Sequence, residues 1–106
     1  MLDRNAAIGI VRNYAQDIKS YGVHLRKVIL YGSFAKGTQH EWSDIDVALV
    51  ADEFTGLPED HYLFPYMGGI KKPYTLIEAV TYPTDYFLQG DDPFIEEITK
   101  TGIKII

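Results

Sequence analysis

The stretch Gly32-Ser33-Phe34-Ala35-Lys36-Gly37-Thr38-Gln39-His40-Glu41-Trp42-Ser43-Asp44-Ile45-Asp46 holds residue types from which a phosphate and metal site can be built. Asp44 and Asp46 stand two apart where an apolar run begins. The two-residue period of a strand puts both carboxylates on one face. Ile45, Val47 and Leu49 then take the other face and are candidate core. Two neighbouring carboxylates repel unless a cation or a proton intervenes. Oxygen donors at this spacing suit Mg²⁺, which combines carboxylates with water and substrate phosphates. Upstream, Gly32 allows close backbone approach to a ligand. Ser33 offers a hydroxyl and an N–H near the start of a helical turn, where phosphates bind well. Lys36 can carry one positive charge towards a triphosphate. Gly32 and Gly37 have the spacing of P-loop glycines, but Thr38-Gln39 stands where that loop needs Lys-Ser/Thr, so the P-loop reading fails.

Each residue also has a plainer reading. Asp44 and Asp46 can be a solvated strand start, Ser33 a helix cap and Lys36 a surface lysine. Trp42 can stack on a base or pack its own loop. His24, His40 and His61 show no metal-ligand spacing. Tyr62, Tyr66, Tyr82 and Tyr86 are candidates for packing or for a partner surface.

Gly-Ser followed, after ten intervening residues, by Asp-x-Asp resembles the signature of the DNA polymerase β-like nucleotidyltransferase superfamily. The short chain looks most like its minimal nucleotidyltransferase branch. By background frequencies the pattern would arise by chance in about one chain in a thousand of this length. The resemblance is sharpest over Val28 to Val50 and looser towards the ends. It implies an α/β (α+β) fold, a small mixed β-sheet with helices packed on one face. It also implies transfer of a nucleoside monophosphate, AMP first among the candidates, from ATP or another NTP to an acceptor hydroxyl. Asp44 and Asp46 would hold two Mg²⁺ ions, with Mn²⁺ as a substitute, and Gly32, Ser33 and Lys36 would bind the phosphates. The family places a third carboxylate on a later strand. Glu78 is the only charged residue between Lys72 and Asp85, so it is the candidate for that catalytic and metal-binding role. It departs from the aspartate commonest there, and it can equally be an exposed edge-strand residue.

The resemblance further implies a protein partner. Small members of the branch are often encoded beside a helical HEPN-domain protein, and some adenylylate a tyrosine on it. The competing reading is an antitoxin-like binding module for such a partner, with little catalysis. A homodimer with a shared site is a third.

These residues need a scaffold. Ala7, Ile10, Val11, Tyr14 and Ile18 recur at helical spacing and predict a helix over Ala6 to Tyr21, with Asn5 as N-cap and Gly22 as stop. Val28 to Tyr31 and Ile45 to Val50 read as strands, joined by a polar loop that opens with a helical turn. A turn-rich stretch runs from Ala51 to Pro58, and Glu59 to Gly69 reads as either helix or packed loop. Pro73 and Pro83 bracket a strand over Tyr74 to Tyr82. Asp92, Pro93 and Gly102 mark a helix over Pro93 to Thr101, and Ile103 to Ile106 is a short strand or docking tail.

The 106 residues predict a single nucleotidyltransferase domain over 1–106. Fifteen acids against ten Lys and Arg give a formal charge of −5, and no basic stripe is present, which argues against general nucleic-acid binding. No cysteine is present, so thiolate metal sites and cysteine nucleophiles are excluded. No apolar run approaches the ~20 residues of a membrane span, and Met1 to Asn5 lacks a signal-peptide layout. The expectation is a cytoplasmic domain without membrane contact.

Overall fold

The structure is a computed structural model and describes residues 2–41, 43–55 and 72–106. The expectations for Trp42, His61, Tyr62, Tyr66 and the 59–69 segment lie outside the described residues. In chain order the elements are α1 (Arg4–Ser20), β1 (Leu25–Tyr31), α2 (Ser33–Lys36) and β2 (Ile45–Ala51). They continue with a 3₁₀ turn (Lys72–Leu76), β3 (Ile77–Pro83), α3 (Thr84–Gln89), α4 (Pro93–Thr101) and β4 (Ile103–Lys104). No helix among the described residues is long and apolar enough to cross a membrane.

The sheet has the order β3-β2-β1-β4. β1 runs antiparallel to β2 and β4, while β2 and β3 are parallel, so this is a mixed sheet in an α+β fold. Its helices lie on both faces rather than one, which corrects the expected layering. Val28, Leu30, Ile45, Val47 and Leu49 pack on one face with Ala7, Val11 and Ile18 of α1 and with Phe34 of α2. Ile29, Ala48 and Val50 pack on the other with Phe87 of α3 and with Ile95 and Ile98 of α4. The cause is legible in β2. Val47-Ala48-Leu49-Val50-Ala51 is apolar without alternation, and such a strand must be covered on both sides.

Other departures have local causes. Asp3 caps α1, its carboxylate accepting from the Ala6 N–H at 2.8 Å, so the helix starts earlier than an Asn5 cap would allow. Tyr74, placed in a strand by the bracketing prolines, instead lies in the 3₁₀ turn. Its ring meets Tyr14 edge-on at 5.2 Å and its hydroxyl donates to Asp17 at 2.6 Å, so α1 pulls it out of the strand line. Helix α3 carries one buried residue, Phe87, too few to produce a helical period.

Residue Gly102 joins α4 to β4 where no side chain fits. A Cβ there would collide with the Ile98 carbonyl and lie 2.6 Å from Ile29 Cγ2 and 3.0 Å from the Leu30 carbonyl. Two of these neighbours are backbone and cannot rotate away. Gly102→Ala is therefore expected to destabilise the protein by about 1–3 kcal/mol, measured by urea unfolding, through displacement of β4 from β1.

Candidate functional site

Strand register sets the site. Tyr31 of β1 pairs with Asp46 of β2, and Asp46 pairs with Glu78 of β3. The three side chains form one row across the sheet, on the face that also carries Ile29, Ala48 and Val50. Asp44 lies two residues before Asp46, ahead of the strand proper. A tight turn delivers it: the Ser43 N–H donates to the His40 carbonyl at 3.0 Å, and the Ser43 hydroxyl accepts from the His40 N–H at 2.8 Å.

Gly32 closes the other side. It leaves β1 with φ +73° and ψ −149°, a left-handed backbone that a side chain resists. A Cβ there would collide with Asp46 Oδ2 and stand 3.1 Å from its carboxyl carbon. The Gly32 backbone and the Asp46 carboxylate are therefore packed directly together. Ser33 then opens α2, whose Phe34 is fully buried as its anchor and whose Lys36 is exposed. The glycine-serine half of the motif and its acidic half meet at one place in the fold.

Among the described residues the acids of the site have no compensating charge. Burial pushes the Asp46 carboxyl above the usual aspartate range, and the nearby charges of Glu78 and then Asp44 push the same way. No hydrogen bond or ion pair from another described residue reaches Asp44, Asp46 or Glu78. Lys36 forms no ion pair with them. Glu78 is exposed on the edge strand β3 yet shares the face of Asp46.

Sequence reasoning missed Tyr31. Its phenol is pushed up to about 12, chiefly by burial and further by the charges of Asp46, Tyr82 and Glu78. Its ring meets Phe94 edge-on at 5.4 Å, so α4 walls one side of the row. The available signal was its position one residue before Gly32, at the end of the β1 run.

The donor set can be tested against a metal ion. Among the described residues no three His, Cys, Asp or Glu side chains gather around one point. The acids form a row, not a closed cage. Oxygen donors of this kind, without a partner cation among the described residues, suit a hard divalent cation that takes most of its shell from water and phosphates better than one that needs a closed protein cage.

Residues 11–103 match the family described as the nucleotidyltransferase domain. The chain belongs to that family. Two provisionally named protein adenylyltransferases of Methanocaldococcus jannaschii are similar along most of its length. One is 27% identical over 92% of this chain and 97% of its own length, the other 32% identical over 99% of this chain and 74% of its own. As a nucleotidyltransferase the chain is an enzyme of the transferase class, and an NTP is the substrate of that class. The glycine-serine turn, the paired acids and the row across β1, β2 and β3 all fall inside the matched region.

Two outcomes follow from the geometry. Gly32→Ala should cost about 1–3 kcal/mol from the left-handed backbone and the collision with Asp46. Adding Asp46→Ala removes the collision but not the backbone strain, so the double variant should be more stable than the sum of the singles requires, as denaturant unfolding of all four proteins would show. Separately, the raised Asp46 carboxyl means that the folded chain holds this proton more tightly than the unfolded chain. Its contribution to stability therefore falls as pH rises from the ordinary aspartate range through the raised value. Asp46→Asn, always neutral, should melt at a higher temperature than the wild type at pH 7 in the absence of divalent cations.

Proposed function

We propose that this nucleotidyltransferase transfers AMP from ATP to a hydroxyl on another protein, with a tyrosine as the first candidate acceptor. The single observation that carries the reading is the convergence of Gly32 and Asp46, with Glu78 in register beside them. The names of the two relatives support a protein acceptor. Exposed aromatic side chains at Phe94, which meets Tyr31, and at Tyr86, which donates to Asp92 two residues before Phe94, support contact with a second chain.

In this reading Gly32 and Ser33 present backbone N–H groups and a hydroxyl to the β- and γ-phosphates, and Lys36 offsets charge on the leaving pyrophosphate. Asp44, Asp46 and Glu78 would hold Mg²⁺. When bound, the metal supplies positive charge against the phosphates and lowers the pKa of the acceptor hydroxyl. The acceptor hydroxyl gives up its proton to solvent as its oxygen attacks the α-phosphorus in line; a new P–O bond forms and pyrophosphate leaves with the bonding electrons of the cleaved P–O bond. Tyr31, with Phe94 packed edge-on against it, stands on one side of the half-buried Asp46 carboxylate.

The test is transfer of label from α-labelled ATP, with Mg²⁺, to protein in a lysate of the native host. Label on a protein band, released by phosphodiesterase, is the expected result. Asp46→Asn should reduce it by at least about a hundredfold, the scale on which loss of one electrostatic group in such sites is felt. Transfer that survives Asp46→Asn, or no transfer by the wild type, would remove the reading.

A further inference from the structure

Helix α2 is one turn long, far below the length at which a helix holds its own direction. Something else must aim it, and its carbonyl groups show what. The Gly32 carbonyl accepts from the Lys36 N–H at 3.1 Å. The Ser33 carbonyl accepts from the Gly37 N–H and from the Thr38 N–H, the latter at 2.9 Å. The next two carbonyls, of Phe34 and Ala35, point past the end of the turn where helices leave such groups without backbone partners. Both are taken by one side chain from thirty residues away. Arg4 donates from Nε to the Phe34 carbonyl at 3.0 Å and from Nη2 to the Ala35 carbonyl at 2.9 Å.

The placement of Arg4 is odd by local rules. It is the first residue of α1, whose first turn contains no acid, and a cation at a helix N-terminus opposes the helix dipole. Against α2 the same charge sits at a C-terminus, where it is favourable. Gly37 makes the room: a Cβ there would stand 3.2 Å from Arg4 Nη2. The planar guanidinium is suited to the work, because its fixed fork meets two successive carbonyls at once, as an ammonium cannot.

We infer that Arg4 is a positioning residue for the triphosphate, acting through α2: it sets the direction of the turn and hence where Ser33 and Lys36 stand relative to Asp46. This rests on the reading that Gly32, Ser33 and Lys36 hold phosphates. Phe34 pins the turn to the core from one side, and Arg4 holds its far end from the other.

The experiment measures binding of Mg·ATP, and of Mg²⁺ with inorganic tripolyphosphate, by calorimetry, with thermal melts to establish that each variant is folded. Arg4→Ala should weaken both ligands about tenfold, the equivalent of one to two hydrogen bonds. Arg4→Lys should fall between. Guanidinium ion, well below denaturing concentrations, should restore most of the affinity of Arg4→Ala, and methylammonium should not. Arg26→Ala removes an arginine bound to Asp52 away from the site and should leave binding unchanged. Wild-type affinity in Arg4→Ala, an equal loss in Arg26→Ala, or no guanidinium rescue would overturn the inference while leaving the triphosphate reading intact. No binding by the wild type would overturn both.

Discussion

The contact between the Gly32 backbone and the Asp46 carboxylate governs the rest of the site. It brings together the two ends of the loop between β1 and β2, and it leaves no space for even a methyl group between them. Three consequences follow. β1 must end at Tyr31, because the next residue turns left-handed. α2 must begin at once, with Ser33 directly after the glycine that meets Asp46. β2 must keep its register with β1, because a slip of one residue would turn Asp46 to the opposite face and bring an apolar neighbour to Gly32.

That register is held from both sides. The apolar run of β2 is buried against α1 on one face and against α3 and α4 on the other, so the central strand cannot slide without unpacking two clusters. The network at the opposite end of the sheet adds a further tie. Asp52, just after β2, accepts from the Arg26 guanidinium of β1 and from the Thr84 hydroxyl at 2.6 Å, and these partners hold its carboxyl down to about 2. The contrast with Asp46 is chemical. One aspartate is paired and held ionised, while the other is crowded by burial and by like charges. Carboxylates crowded in this way gather at functional sites more often than elsewhere.

As a nucleotidyltransferase, the chain distributes its parts economically. β2 and β3 carry Asp46 and Glu78 side by side, a single helical turn carries Ser33 and Lys36, and α1 supplies both a core face and an arginine bonded to that turn. The −5 charge is partly this site: Asp44, Asp46 and Glu78 are three of the fifteen acids.

The sequence alone determined the family and named the candidate acids. Gly-Ser and Asp-x-Asp at a set spacing carried both, because a two-residue strand period is a local property. The caps at Asp92 and Gly102 delimited α4 for the same reason. Tertiary structure alone decided what depends on partners distant in the chain. Helices cover both faces because α3 and α4 close over Ile29, Ala48 and Val50. Tyr74 leaves the strand because Tyr14 and Asp17 claim it. Tyr31 joins the acidic row only through register with Asp46, and Arg4 reaches α2 only once α1 has packed beside it. Periodicity records which face a residue takes; only the packed molecule decides which other residue it meets there.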